Sequence, residues 1–383
     1  MRGHIRRRGE RSWAVVVDLA PDPATGKRRQ KWHSVKGTKR DAERELARLL
    51  NELNTGGYVE PTRMTIGQYM KDWLAQTAST VRPLTHESYA AMARCHIEPA
   101  LGAVRLNQLS PAVIERWCRE QLAGGRADGR GQALSPRTVR YCLRILSMAL
   151  KRAVRLGLVP RNAAEAVDPP RHSRREVPFL DVRVAERLIQ AAGGTRLELP
   201  VLLAVTTGMR RGEILGLRWA DVDLARGSLE VRQALLPGRR FAPPKTTSGR
   251  RPVALPQGVA EPLKKQRASC EEARRLLGPA YEDHDLVVCL GDGRPWEPTT
   301  LSSAFHELAR RTGLGGLRFH DLRHLHATVL LRAGIHPKVV ADRLGHSTVG
   351  VTLDTYSHVV PDLQRQAAQA IDTLLGGQPP SGR

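Results

Sequence analysis

Nothing in the 383 residues is long and apolar enough to span a bilayer. The longest run without a charged residue is the eleven between Glu198 and Arg210, and a membrane helix needs about 20. Met1–Arg11 is basic but has neither an apolar core nor a small-residue cleavage site, so no secretory signal is expected and the protein should stay where it is made. Cysteine is scarce. The five residues (95, 118, 142, 270, 289) are odd in number and include no Cys-x-x-Cys pair, which suits neither a disulfide framework nor a zinc site and leaves reduced core thiols. There is no G-x-x-x-x-G-K-[ST] loop and no G-x-G-x-x-G fingerprint, so nucleotide chemistry is not indicated. No internal repeat or long low-complexity tract interrupts the chain.

Acidic residues are also under-represented, with 38 Asp and Glu against 61 Lys and Arg, a formal charge of +23. The excess is spread along the chain: 14 bases against 8 acids in residues 1–60, 17 against 8 in 61–173, and 30 against 22 in 174–383. A basic tail on a neutral enzyme would concentrate it, whereas a protein that wraps a polyanion distributes it. Duplex DNA or RNA is the leading partner; a ribosomal or membrane-surface role, or a general Arg/Ala bias, are the alternatives that charge alone leaves open.

The hydrophobic pattern divides the chain. Trp13–Asp18 and Lys27–Val35 read as two strands joined by a turn at Pro21–Gly26. Ala42, Leu46, Leu49, Leu50 and Leu53 then mark a helix over Lys39–Leu53. This predicts a small sheet with one helix in residues 1–60, its loops carrying Arg6, Arg7, Arg8, Lys27, Arg28 and Arg29, and a two-stranded ribbon is an element that fits the DNA major groove. A solvated basic rim around a Trp13/Trp32 core is the plainer reading of any one of those residues. Residues 61–167 read as all-α. Helices are expected over Thr65–Ala75, Leu84–His96 and Ser110–Leu122. A long basic one begins at Ser135-Pro136, with Val139, Cys142, Leu143, Leu146, Leu150 and Val154 on one face and Arg137, Arg140 and Arg144 among the rest. Residues 168–176, Pro-containing and charged, read as a linker. Residues 177–383 read as mainly α, with short strands near Ser228–Arg232 and Arg251–Leu255 and a loop, Pro237–Gly249, holding Lys245. The fold class is therefore mixed α and β, multidomain.

Several separated sites in the last domain suit a phosphate. Thr207-Gly208 breaks the chain before a helix and is expected to place Arg210 in its first turn, where the positive helix end and the guanidinium act on one anion. His320 and Arg323, three apart, share a helical face. Leu344-Gly345 ends a helix with His346 just beyond it, and Tyr356 follows ten residues later as a candidate nucleophile. Breaking a phosphodiester without a metal requires neutralising charge on the non-bridging oxygens, a task for two Arg and one or two His. Lys245 is the expected donor of a proton to the leaving alcohol, and surrounding cations favour the phenolate of Tyr356, whose free pKa is about 10.

Thr207-Gly-Met-Arg-Arg-Gly-Glu213, Lys245-Thr246, His320-Asp-Leu-Arg-His324, Leu344-Gly-His346 and Thr355-Tyr-Ser-His358 resemble, in order and spacing, the boxes of tyrosine recombinases of the phage-integrase type. The resemblance covers the whole chain. It implies an arm-type DNA-binding domain in residues 1–60, a core-binding (SAM-like) domain in 61–167 and a catalytic domain in 177–383 with a C-terminal helix. It implies Arg210, Lys245, His320, Arg323 and His346 as the activating set, Tyr356 as nucleophile and Glu213 as a supporting acid behind Arg210. The implied product is a 3′-phosphotyrosyl link with a free 5′-hydroxyl, made without metal or cofactor and exchanged through a Holliday junction. The implied partners are core- and arm-type attachment sites, three further copies of the chain in a tetramer on DNA, and accessory DNA-bending or directionality proteins, in the nucleoid of a bacterial host. Leu325 stands where Thr is often found after the His-Asp-Leu-Arg-His box.

Other readings remain on the same residues. His320 and His324, spaced i and i+4, faintly resemble a zinc motif, but no third ligand is evident and Arg323 would repel a cation. Arg211 and Arg218 read as solvent or salt-bridge residues, and His324 and His326 as helix packing. A type IB topoisomerase shares the chemistry but not the separate N-terminal domains, and a regulator without catalysis would have dropped part of the set. Leu363, Ala367, Ile371, Leu374 and Leu375 form an apolar stripe expected to pack on its own domain or on a neighbouring protomer.

Overall fold

The computed structural model describes residues 2–19, 21, 25–54, 63–124, 132–171, 181–244, 246–356 and 361–374, without the side chains of 247, 354–356 and 361–367. It divides into two compact units, residues 1–174 and 175–383. The turn at 21–26 lies largely outside the described residues, as does most of the 168–176 segment.

The first unit begins with an antiparallel sheet of three strands, β1 (Gly3–Gly9), β2 (Ser12–Leu19) and β3 (Arg29–Lys36), in that order. The sequence predicts only the β2–β3 hairpin. β1 has a single large apolar residue, Ile5, among Gly, His and Arg, so its pattern carries little β signal, and it is pairing with the edge of β2 that makes it a strand. Arg6, Arg7 and Arg8 thus lie on β1 rather than in a loop, while Lys27 and Arg28 precede β3 and Arg29 opens it. Helix α1 (Lys39–Asn54) follows, and its Ala42 and Leu49 bury against Val15 and Val17 of β2.

Helices α2 (Ile66–Thr77), α3 (Pro83–Met92), α4 (Glu98–Leu101), α5 (Pro111–Ala123) and α6 (Pro136–Arg155) complete this unit. The helix expected to end at His96 runs on through a π-helical turn, Ala93–Ile97, into α4. Thr65 and Gln68 form a capping box at the start of α2, and Ser135 accepts a hydrogen bond from the Thr138 amide at the start of α6. Val139, Cys142, Leu146 and Leu150 of α6 are fully buried, each large apolar side chain worth roughly 1.5–3 kcal/mol. The phenol of Tyr69 donates to the Ala149 carbonyl at 2.7 Å, tying α2 to α6.

The second unit is built from α7 (Val182–Ala192), α8 (Glu198–Thr207) and α9 (Arg211–Leu215). Strands β4 (Val222–Asp223), β5 (Ser228–Val231), β6 (Ala234–Leu236), β7 (Arg240–Ala242) and β8 (Arg251–Ala254) come next. Helices α10 (Ala260–Leu277), α11 (Pro298–Arg311), α12 (Asp321–Arg332), α13 (Pro337–Leu344), α14 (Val349–Tyr356) and α15 (Pro361–Leu374) follow. β4, β5 and β8 form one antiparallel sheet, with Leu229 opposite Val253. β6 and β7 form a second, a hairpin whose second strand lies inside Pro237–Gly249, the segment that reads as loop in the sequence. Strands of three residues are too short for alternation to declare them. The core gathers Leu203 of α8, Ile214 of α9, Val253 of β8, Phe305 of α11 and Leu322 and Leu325 of α12, so Leu325 is a core side chain. Among the described residues no helix is long and apolar enough to cross a membrane.

Candidate catalytic site

The site grows from a break in the chain. α8 ends at Gly208, whose φ of +66° is left-handed, and a Cβ there would lie 2.6 Å from both His326 Cδ2 and Leu344 Cδ2. Only glycine combines that backbone with that clearance. The Gly208 carbonyl accepts a hydrogen bond from Arg323 Nη1 at 2.8 Å. Two residues on, Arg210 is the N-cap of α9, one position before the first turn where the sequence puts it.

Glu213, in the first turn of α9, is buried between two guanidiniums. Its Oε1 accepts from Arg210 Nη1 at 2.7 Å and its Oε2 from the Arg210 amide at 2.9 Å, while Arg251 of β8 approaches both oxygens, at 2.9 Å from Nη2 and 3.4 Å from Nη1. Burial alone would raise its carboxyl pKa, but the charges and hydrogen bonds of Arg251 and then Arg210 hold it below the usual range. Glu213 is therefore a carboxylate bonded to both Arg210 and Arg251.

The other anchor is the C-terminal end of α13. Gly345, with φ of +68°, ends the helix, and three successive carbonyls around it each hold a different arginine. The Arg343 carbonyl takes Arg251 Nε at 2.6 Å, the Leu344 carbonyl takes Arg323 Nη2 at 2.5 Å, and the Gly345 carbonyl takes Arg210 Nη2 at 3.1 Å. A helix C-terminus has unpaired carbonyls and a partial negative charge, so it is a place where cations gather at little electrostatic cost. Arg323 and Arg251 are buried, whereas the side chain of Arg210 is 40% exposed.

Histidines surround this cluster. His346, just past Gly345, is half-buried, and its Nδ1 pairs with the Thr352 hydroxyl of α14 at 2.8 Å. Burial, then Arg323 and Arg210, push its pKa down to about 4. His320, the N-cap of α12, stacks edge-on with His324 at 5.3 Å between ring centroids. It keeps an exposed face, yet the protein packed around it, followed by His324 and Arg323, lowers its pKa to about 4. Both imidazoles are neutral at pH 7. Arg210 and His320 line one cavity of about 500 Å³, shared with Arg211, His306 and Arg318. Tyr356 is the last residue of α14, two helical turns after His346 leads into it, and its side chain is not described; Lys245 lies outside the described residues.

Sequence reasoning passed over Arg251 and Arg343. Neither sits in a box that looks made for phosphate, and only the fold brings β8 against the end of α13. Arg211 donates to the Ser302 hydroxyl, and Arg218 pairs with Asp221 at 2.8 Å, in keeping with the salt-bridge reading of the latter. His320 and His324 are adjacent, but among the described residues no group of three metal-binding side chains occurs.

In the first unit, Arg137, Arg140 and Arg144 line one cavity of about 820 Å³ on α6, with Arg140 Nη1 also reaching the Pro170 carbonyl at 3.3 Å. On the sheet, the Arg8 guanidinium lies 5.3 Å from the centre of the Trp32 ring, which is 45% exposed and so no part of a tryptophan core. Arg6 is paired with Ala14, on the face away from α1, whereas Arg7 pairs with Trp13 on the helix side. Arg28 is held by Asp18 at 2.8 Å.

Three family models match the chain in order: an arm DNA-binding domain over residues 4–53, a phage integrase N-terminal SAM-like domain over 65–121, and the phage integrase family over 178–362. An integrase of Streptomyces ambofaciens is 29% identical over 374 residues, spanning 95% of this chain and 93% of that protein. The integrase of the Tn1549 transposon, solved with a circular intermediate DNA, superimposes with a TM-score of 0.65 at 19% identity, covering 80% of this chain and 99% of the other. A lambda integrase tetramer bound to a Holliday junction gives a TM-score of 0.56 at 19% identity over 90% of this chain and 95% of that one. The chain belongs to the phage integrase family of tyrosine recombinases. It is a site-specific recombinase, an enzyme that cuts and rejoins DNA.

Proposed function

We propose that this recombinase integrates or excises a mobile element, a prophage or a conjugative transposon, with Tyr356 as nucleophile. Arg210 and Arg323 neutralise the scissile phosphate, His320 and His346 line the same reaction, and Glu213 holds Arg210. The phenol oxygen forms a bond to phosphorus as the bond to the 5′-oxygen breaks, leaving a 3′-phosphotyrosine. An unprotonated imidazole is at hand to take the phenol's proton, and Lys245 supplies one to the leaving 5′-hydroxyl. The observation that carries this reading is the gathering of Arg210 and Arg323 on successive carbonyls at the end of α13, with His346 next in the chain and Tyr356 closing the following helix.

Residues 1–60 are assigned to arm-type sites, 61–167 to the core site and 177–383 to catalysis, joined by 168–176. The exposed Arg8–Trp32 pair supports a DNA-facing sheet, with Arg6 beside it and Arg7, Lys27, Arg28 and Arg29 at its edges; the cavity lined by Arg137, Arg140 and Arg144 supports a DNA-facing α6. A homotetramer on DNA, aided by DNA-bending or directionality proteins, is the assembly in which two duplexes exchange. On α15, Ile371 and Leu374 are exposed, the latter at 81%, which supports docking on a neighbouring copy; Leu363, Ala367 and Leu375 lie outside the described side chains.

The test is recombination of two plasmids carrying DNA that flanks the gene. Joined products are expected from the full chain, and truncation of residues 1–60 should abolish joining of long sites while sparing cleavage of a short core site. Equal joining by both proteins would remove the arm-binding role.

A further inference from the structure

Arg251 belongs to none of the motifs that define the site, yet its guanidinium is held at three different residues of it. Its side chain is 6% exposed. Its Nε donates to the Arg343 carbonyl, Nη1 to the Gly249 carbonyl at 3.1 Å and toward Glu213 Oε1, and Nη2 to Glu213 Oε2. Gly345 is built around it, since a Cβ there would lie 2.9 Å from Arg251 Nη1. Four of the five N–H groups of this fork are thus taken by the protein, two of them by the carboxylate that also holds Arg210. Arg210 differs: it shares both Glu213 oxygens with Arg251 but keeps an exposed side chain on the cavity.

The two arginines are coupled through one carboxylate and one helix end. Arg251 and Arg210 hold opposite sides of Glu213, and they hold carbonyls two residues apart at the end of α13. Removing Arg251 leaves a buried carboxylate with half its donors and leaves the Arg343 carbonyl without this partner. The carboxylate then has every reason to turn further toward Arg210 and draw it from the cavity. A planar fork is required because lysine presents a point charge that cannot meet Glu213, Arg343 and Gly249 together.

We propose that Arg251 is a positioning residue for strand cleavage, which keeps Glu213 and the end of α13 in register so that Arg210 points at the scissile phosphate. This rests on the reading of Arg210 as a phosphate clamp. A misplacement of about 1 Å in such a clamp is enough to slow a reaction by about 100-fold.

The experiment is a double-mutant cycle on the full chain with a nicked core-site duplex: wild type, Arg251→Lys, Arg210→Lys and the double variant. Single-turnover cleavage, DNA affinity and melting temperature are measured for each. Arg251→Lys should cleave about 10- to 100-fold more slowly with DNA affinity within about twofold of wild type, and the double variant should be no more than about threefold slower than Arg210→Lys alone, because Arg251 acts through Arg210. If lysine unfolds the chain, Arg251→Gln, which keeps N–H donors for Glu213, takes its place in the cycle. Wild-type cleavage by the Arg251 variant, or losses that simply multiply, would overturn the positioning role while leaving the clamp intact. No cleavage by the wild type would overturn the clamp reading itself and this inference with it.

Discussion

Arg343 donates through Nε to Nε2 of His326 at 3.1 Å, and the opposite ring nitrogen of His326 lies 2.8 Å from the Val205 carbonyl. A guanidinium has no acceptor, so Nε2 must be unprotonated and the ring hydrogen must sit on Nδ1, facing the carbonyl. The imidazole is thereby held neutral between α8 and α13, under the Gly208 turn that carries Arg323. Burial, then Arg343 and Arg323, lower its pKa to about 4 despite the Val205 bond, which favours the proton.

That arrangement fixes the sign of a pH effect. Between pH 6.5 and 4 the unfolded chain binds a proton at this residue and the folded chain does not, so its contribution is present above pH 6.5 and is lost as pH falls toward 4. The loss is on the order of 1 kcal/mol per pH unit. Denaturant unfolding of wild type should weaken over this window, and His326→Gln, though less stable at pH 7, should show a slope smaller by about one proton. An unchanged slope would mean that His326 titrates normally in the folded state.

Gly208→Ala should damage both stability and cleavage. The left-handed backbone costs an alanine about 1–2 kcal/mol, and its Cβ would collide with His326 and Leu344. We expect a loss of roughly 2–4 kcal/mol by chemical denaturation, with cleavage reduced further because the 208 carbonyl that holds Arg323 must move. A variant of wild-type stability would show that the turn can relax.

Glu213→Gln should separate binding from chemistry. The amide keeps the size of the side chain but cannot accept from Arg210 and Arg251 on both sides, so cleavage should slow by about 10- to 100-fold with little change in DNA affinity. Equal losses in affinity and rate would point to collapse of the site instead.

Replacing Arg137, Arg140 or Arg144 by Ala should weaken binding to all duplexes nearly alike if these residues meet phosphates. Each should also reduce the slope of log K against log salt by about 1. A loss confined to one sequence would instead mark that residue as a reader of bases.

Much of this site is legible in the sequence because its parts are punctuated. Gly208 and Gly345 end helices, Pro136 starts one, and the apolar periodicity of α1 and α6 places their buried faces. What escapes is tertiary pairing. β1 has one large apolar residue and becomes a strand through β2; β6 and β7 are three residues each. Arg251 and Arg343 look like any surface base of a chain with 61 of them until β8 is laid against α13. The position of Arg210 as a cap rather than a first-turn residue follows from Glu213 reaching back to its amide, a bond between neighbours that the sequence permits but does not compel.

Tyr356 is proposed to attack a phosphate held by arginines without a metal. Nicked duplexes from the flanking DNA, incubated with wild type and Tyr356→Phe in EDTA, test it directly through the yield of SDS-resistant protein–DNA adduct. An adduct is expected with wild type alone. An adduct that persists in Tyr356→Phe, or one that forms only when a divalent metal is restored, would contradict it.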